Sequence, residues 1–576
     1  MIRVLKNRLD FFDSLFLLFI LCIVISNVIW FKIDNSIIGN DSDRYLLFSI
    51  DFFYRFSDVL HSNASIFKKT LDIINVIAMP GRGYTYWPQG LSLTAFIFYF
   101  LLGKSLFAAK MTILLYLLVL LFSTYSIGKL LHSKFTGLIA VILLSFYPII
   151  FQSARQYQLD LPLTSLVTLI MYLLLKVDRF NNAKYSLLLG FACGFSMLIK
   201  GQAILFIAFA FVYMLYRSGP FKPKQLRNLF AALLVSALIA SVWWGPRINA
   251  AILRLKTHII DPGINYSFNS PFSWGRKYSV ESVFFHLKEL FYSSLRPFFG
   301  LLFIILFAPF IIQKIKHKGL YISWIIPPLL LFSLAFTVKH SRFLMPILPA
   351  LALVTALGLE HLQNKRAKSF ILAISIIFAL LQLYVLSYAE DKYRVASIGH
   401  FKIFGESGFG SDYEVGKPCN KEPKIDAVAN IIQDNKTVGK AYSVLIVYMC
   451  KVNPKYCEMF FRLKLKDHAL IPVSLSDLFN SSRRFDCVDF IISRTFSQNP
   501  VNWFEAGKYR KRFNSDYFIE LEHFESELQK SGQMREWEGF LKNMEESASN
   551  FCLIDKVIEK NTTYYIYKTK IFKQRS

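Results

Sequence analysis

Charged side chains are scarce in this 576-residue chain: 18% are Asp, Glu, Lys or Arg, while 54% are hydrophobic. That balance excludes an ordinary water-soluble enzyme and points to a membrane protein. Acidic residues are the scarcer sign, 39 against 66 Lys and Arg, giving a net charge of +27. No nucleic-acid recognition motif accompanies that charge, so no nucleic-acid partner is expected. The seven cysteines include no C-x-x-C pair, which leaves a structural zinc without support. No small-residue cleavage site follows the first apolar run, which therefore reads as a retained anchor and not a secretory signal. No internal repeat is visible, and this weighs against a transporter or flippase of lipid-linked saccharides, the alternative reading of such a chain.

What the chain has is long apolar runs. Ser14 to Phe31 is uncharged over eighteen residues, enough at about 1.5 Å per helical residue to cross most of a hydrocarbon core of roughly 30 Å. Similar runs lie near 11–32, 109–130, 135–152, 161–177, 184–199, 201–216, 228–246, 297–313, 320–338, 343–360 and 369–389. These predict an α-helical polytopic membrane protein with about eleven transmembrane helices. The run 89–103 is too short for a full span and reads as re-entrant or interfacial. Loops assigned alternately to two sides collect Arg3, Lys6, Arg8, Lys129, Lys134, Lys176, Arg179, Lys184 and later basic clusters on one side. By the positive-inside rule that side is the cytoplasm, placing the N-terminus there and the C-terminus outside.

Three extracytoplasmic parts follow from this topology: a first loop over 33–108, a second over 247–296, and a tail from 391 to 576. In the first, Leu46, Leu47, Ile50, Phe53 and Tyr54 recur at helical spacing, as do Phe67, Leu71, Ile74 and Ile77 or Ala78. They predict two juxtamembrane amphipathic helices, lying in the interface or packed on the bundle. The tail is polar, with strand-like runs at 442–448, 488–493 and 564–572 and a helical stretch near 517–548, which predicts a soluble α/β domain. Its five cysteines can form disulfides outside the cytoplasm, with no pairing derivable.

Charges on the outer side, where few are expected, carry the functional signal. Asn40-Asp41-Ser42-Asp43-Arg44-Tyr45 follows the first span; Arg82 and Tyr84-Thr85-Tyr86-Trp87-Pro88 come next. Arg155 to Asp160 lies between two spans, Lys200 between two more, and Lys339-His340-Ser341-Arg342 before the tenth. Singly, an Asp-Ser-Asp stretch is often a helix cap, and a lone Lys snorkels to headgroups. Together on one face they suit a reaction on an anionic lipid donor. A carboxylate, Asp41 or Asp43, can take the proton of an attacking hydroxyl, and Lys200, Arg342, Arg155 and His340 can hold a phosphate leaving group.

These segments resemble the GT-C glycosyltransferases, in particular the bacterial dolichyl-phosphate-mannose-protein mannosyltransferase-like and aminoarabinose (lipid A) transferase-like enzymes. The resemblance covers roughly residues 10–390 and rests on five motifs in order. They are Asp41-Ser42-Asp43-Arg44-Tyr45; Tyr86-Trp87-Pro88-Gln89-Gly90 with Gly103-Lys104-Ser105; Arg155 with Asp160-Leu161-Pro162; Met197-Leu198-Ile199-Lys200-Gly201; and Ser341-Arg342-Phe343-Leu344-Met345-Pro346 with Pro349-Ala350. The resemblance implies a sugar linked to polyprenyl or dolichyl phosphate as donor, and inversion at the anomeric carbon in one displacement. It places the base at Asp41; the family's following acid is Ser42 here, which leaves Asp43 as the other candidate. The resemblance also draws Asp160 into the catalytic set, and Tyr45, Arg82, Tyr86 and Trp87 into the substrate lining.

The expectation is thus a catalytic transmembrane domain over 1–390 and a soluble domain over 391–576, in a bacterial inner membrane. It would transfer a sugar to a lipid, glycan or protein acceptor of the cell envelope. No cofactor is expected to be required, although Asp41, Asp43 and Asp160 offer oxygen ligands to a divalent cation.

Overall fold

A computed structural model describes residues 10–34, 42–79, 87–259, 280–336 and 339–388, and beyond them 397–398, 401–402, 434, 442–447, 470–473, 490–493, 551–559 and 562–569. The chain divides into two compact units, Met1–Asn420 and Lys421–Ser576.

The first unit is helical. α1 (Phe11–Ile33) is followed by α2 (Ser42–His61), α3 (Ile66–Ala78), α4 (Gly90–Leu102), α5 (Leu106–Leu131), α6 (Lys134–Phe146) and the short α7 (Pro148–Ser153). Then come α8 (Asp160–Lys176), α9 (Ala183–Ile199), α10 (Ala203–Ser218), α11 (Pro223–Trp244), α12 (Ile248–Ile259) and α13 (Val280–Glu289). α14 (Arg296–Ile312), α15 (Lys318–Leu330), α16 (Leu348–Glu360) and α17 (Lys365–Tyr388) complete it. Among the described residues each of the eleven apolar runs is helical over most of its length, with the run 135–152 broken at Tyr147. Among the described residues six helical stretches are long and apolar enough to cross a membrane, or seven if the pair Ser282–Ser294 and Arg296–Ile312, bent by 112°, is one span. The run at 89–103 forms the 13-residue α4.

Local chemistry sets the boundaries. Ser105, Ser133 and Asn182 accept hydrogen bonds from backbone N–H groups three residues on, capping α5, α6 and α9. Gly103 closes α4 at φ +79°, a left-handed conformation that a side chain disfavours. The Gly103-Lys104-Ser105 motif is therefore a helix stop followed by a helix start.

Burial sorts the helices into a centre and a periphery. α8 and α16 are buried on almost every side, and α5 on its larger part. α1, α11 and α17 leave Leu18, Ile25, Phe230, Leu238, Phe370 and Ile377 at least half exposed, as helices do when lipid is their outer solvent. Polar ties reinforce the packing: Asp13 accepts hydrogen bonds from Tyr125 (2.6 Å), Lys129 (2.8 Å) and Lys134 (2.7 Å), fastening α1 to α5 and α6. Lys129 and Lys134, which the sequence offered only as topology signals, are thus also ion-pair partners.

The two amphipathic helices differ. α2 packs on the bundle, with Leu46, Ile50 and Phe52 fully buried. α3 leaves Ile66 and Phe67 at 86% and 75% exposure, so among the described residues little covers the apolar face at its N-terminal end.

After a two-stranded ribbon of β1 (Ser397–Ile398) and β2 (Phe401–Lys402), the second unit holds a five-stranded sheet in the order β4-β3-β5-β7-β6. β3 (Tyr442–Val447), β4 (Leu470–Val473) and β5 (Phe490–Ser493) are parallel; β7 (Thr562–Thr569) runs antiparallel to β5 and to β6 (Phe551–Glu559). Three of these strands coincide with the strand-like runs of the sequence. The stretch 517–548 lies outside the described residues.

Candidate active site

Three of the sequence-derived residues meet at Asp160, the first residue of α8. Lys200 Nζ lies 2.8 Å from Asp160 Oδ1, and Arg342 Nε 3.8 Å from Oδ2. Asp160 is 2% exposed, and the side chains of Lys200 and Arg342 keep 16% and 13% accessibility. The positions are separated by 40 and 182 residues in sequence, so tertiary packing alone assembles them. His340 is buried and close enough to act electrostatically on Asp160, and its ring neighbours that of Phe343 at 5.8 Å.

Each arm of the cluster is held by its own backbone device. Lys200 caps the C-terminus of α9 in extended conformation, its N–H donating to Ser196 O at 3.0 Å. Trp244 Nε1 donates to Met197 O at 3.0 Å and lays its indole beside Gly201, where a Cβ would come within 2.7 Å of the ring. The apolar-Lys-Gly motif therefore needs glycine because Trp244 occupies the space. Arg342 sits in a tight helical turn, Ser341–Ile347, fastened by Trp324 Nε1 donating to Pro346 O at 2.9 Å. Lys339, 1% exposed, donates to the carbonyls of Phe332 and Ser333.

Other candidates are placed differently. Arg155 lies on the fully buried segment 154–159, but its described contacts form a second cluster. Its guanidinium stacks 3.7 Å over the Trp30 ring and donates to Ser387 Oγ at 2.7 Å. Tyr45 meets Trp87 edge to face at 5.5 Å, so two of the four lining residues are neighbours. Asp41, Arg82 and Tyr86 lie outside the described residues. Asp43 falls in the first turn of α2, its side chain outside the described atoms.

Sequence reasoning missed Asp34 and Lys110. Lys110 Nζ lies 2.8 Å from both the carboxylate and the carbonyl oxygen of Asp34, and both residues are 2% exposed. A signal existed: a lysine within the run 109–130 must find a partner in a low-dielectric interior. His286, 1% exposed, was also passed over; neither ring nitrogen finds a hydrogen-bond partner among the described residues.

The cluster can bind an anion. Two cations pre-oriented by one buried carboxylate present donors without a reorganisation cost when a phosphate arrives. Asp160 fits a divalent cation poorly, because each of its oxygens already faces a positive side chain. Among the described residues no group of three His, Cys, Asp or Glu is arranged to hold a metal.

Comparison with known proteins agrees with this architecture. Residues 88–244 match the family described as dolichyl-phosphate-mannose-protein mannosyltransferase, a stretch containing Arg155, Asp160 and Lys200. The structure is similar to that of ArnT from Cupriavidus metallidurans bound to undecaprenyl phosphate, with a TM-score of 0.54 at 15% identity, covering 86% of this chain and 94% of that one. ArnT in the apo state gives 0.53 at 14% identity, covering 86% and 95%. An archaeal oligosaccharyltransferase, AglB from Archaeoglobus fulgidus, gives 0.45 at 13% identity, covering 87% and 71%. No curated protein matches the sequence. The family match covers part of the chain, and the likeness to ArnT shows a shared membrane-protein fold.

Proposed function

We propose that the protein transfers a sugar from a polyprenyl-phosphate-linked donor to an acceptor hydroxyl on the extracytoplasmic side of a bacterial inner membrane. The observation that carries this reading is the convergence of Lys200 and Arg342 on Asp160 among apolar helices, several of them long enough to cross a membrane. ArnT, the structural neighbour, binds undecaprenyl phosphate, a lipid of the same chemical class.

In this reading Lys200 and Arg342, with His340 beside them, receive the phosphate. Asp160 does not touch the reacting atoms; it holds the two cations in place. The acceptor oxygen attacks the anomeric carbon from the side opposite the phosphate, and the carbon–oxygen bond to phosphate breaks. Polyprenyl phosphate leaves with the electron pair, and the acceptor proton passes to Asp41 or Asp43. The configuration inverts. Tyr45 and Trp87 offer an aromatic wall of the kind that sugar faces pack against.

The decisive test measures turnover on a panel of undecaprenyl-phosphate sugars with Asp41→Asn and Asp43→Asn. One variant should lose at least about 100-fold in kcat, the usual scale for a general base, while still binding undecaprenyl phosphate. Full turnover in both would remove this loop from the mechanism.

A further inference from the structure

We propose that Gln158 and Gln89 form a sugar-binding wall beside the phosphate site, selecting a donor whose sugar is uncharged and recognised through its hydroxyl groups. This deepens the glycosyltransferase reading above and rests on it. Gln158 is 1% exposed, and neither its amide oxygen nor its amide nitrogen has a hydrogen-bond partner among the described residues. Turning the amide over changes nothing, because both of its atoms lack a partner. Gln89, 2% exposed, leaves its amide oxygen unpartnered in the same way. Buried polar side chains are almost always satisfied, so two such amides in one neighbourhood ask for a ligand that completes them.

Chain geometry places Gln158. It lies on the buried segment 154–159, between two fixed points. Before it, the Tyr157 hydroxyl is 2.5 Å from Ser49 Oγ; after it, Asp160 holds Lys200 at 2.8 Å. Gln158 is two residues from Asp160, so their Cα atoms are no more than about 7 Å apart.

Gln89 approaches from another helix. A Cβ on the next residue, Gly90, would come within 2.6 Å of Leu198 O, so the start of α4 lies against the end of α9, two residues before Lys200. Ser92, one turn into α4, shares the Ser49 hydroxyl with Tyr157, at 3.2 Å. Both amides therefore stand beside segments that carry the phosphate cluster. Trp87, two residues before Gln89, adds the aromatic surface it makes with Tyr45.

In the donor the sugar is joined directly to phosphate, so a wall next to the phosphate site meets the sugar. A primary amide donates to one hydroxyl and accepts from its neighbour, which suits vicinal hydroxyls. A charged sugar would need an opposite charge in so buried a place. Asp160 already faces Lys200 and Arg342, and those two cations are assigned to the phosphate.

The test measures kcat/KM of the full-length protein on undecaprenyl-phosphate donors: neutral hexoses, their monodeoxy analogues, an aminodeoxypentose and a hexuronic acid. Wild type should prefer a neutral hexose by at least about tenfold over both charged sugars, and one monodeoxy analogue of it should lose at least about tenfold. Gln158→Met and Gln89→Met should each lose about tenfold or more on the hexose, yet bind sugar-free undecaprenyl phosphate within twofold of wild type. With a monodeoxy analogue lacking the hydroxyl that each amide holds, the corresponding substitution should make no further difference, which a merely structural role would not produce. If Gln158→Met does not fold, Gln158→Asn, which keeps the amide but withdraws it by one methylene, carries the same comparison. Wild-type kcat/KM in either variant, equal losses on every analogue, or preference for a charged sugar overturns the proposal. If wild type turns over no donor, the glycosyltransferase reading fails and the wall falls with it. That outcome is distinct from an active wild type whose variants keep its sugar preference.

Discussion

Replacing Lys200 by Met tests the phosphate site most directly. The Lys200 ammonium is 2.8 Å from Asp160 and 5.1 Å from the centre of the Phe343 ring, and 16% of the side chain stays accessible. With an effective dielectric of about 20, the attraction across 2.8 Å is roughly 6 kcal/mol before desolvation is subtracted. Removing one partner of a buried pair costs about 3–5 kcal/mol. The lower end applies, because both cations retain some solvent and Arg342 still faces Asp160 at 3.8 Å. A charge-assisted hydrogen bond to phosphate is worth about 1.5–3 kcal/mol, and its loss weakens binding by about 10- to 150-fold. The assay is titration of undecaprenyl phosphate into the purified protein by native mass spectrometry, with phosphatidylglycerol as the competing anionic lipid. Lys200→Met should lose the preference for undecaprenyl phosphate while its affinity for phosphatidylglycerol is unchanged. A Kd for undecaprenyl phosphate within twofold of wild type, in a variant that remains folded, would refute the placement of phosphate at Asp160–Lys200–Arg342.

Two further outcomes follow from local geometry. Gly201→Ala drives a methyl group to within 2.7 Å of the Trp244 ring, and the indole cannot swing away without losing its bond to Met197 O. A thermal shift assay should show destabilisation by about 1–3 kcal/mol, and unaltered melting would show that the contact yields freely. His132, in the α5–α6 turn with Nε2 at 2.9 Å from the Tyr321 hydroxyl, has its pKa lowered to about 4 by burial, with Glu360 opposing in part. The unfolded chain then binds the proton first, so this contribution to stability is present above pH ~6.5 and is lost as pH falls toward about 4. His132→Gln should melt with a shallower pH dependence than wild type across that window; identical profiles would show that His132 binds its proton equally well in the folded and unfolded states.

The functional residues show how far sequence pattern reaches. Lys200 and Arg342 stood out because charge beside apolar helices demands a partner, and Asp160 through the resemblance, but which charge pairs with which was not written in their spacing. Arg155 carried the same signal and entered a different cluster, stacked on Trp30. Lys110 was hidden inside an apolar run, and Asp34 looked like the end of a helix and nothing more. The two amphipathic helices had the same periodicity, and packing separated them: α2 buries its apolar face, while α3 leaves the N-terminal end of its own little covered among the described residues.

The sequence by itself determined the helices. Apolar runs of bilayer length, capped by Ser105, Ser133 and Asn182 and stopped by Gly103, are local features that need no knowledge of neighbours. Strand runs in the tail were legible for the same reason. Only the tertiary structure decided which helices form the centre, since α8 and α16 are no more apolar than α1 and yet are enclosed. It alone brought a lysine at a helix end and an arginine 142 residues later onto one carboxylate. Periodicity reports which face of a helix avoids water; it carries no information about the partner, because every apolar face satisfies that demand equally. Ion pairs are set by the few ångströms that packing leaves between side chains, and those distances exist only once the bundle has closed.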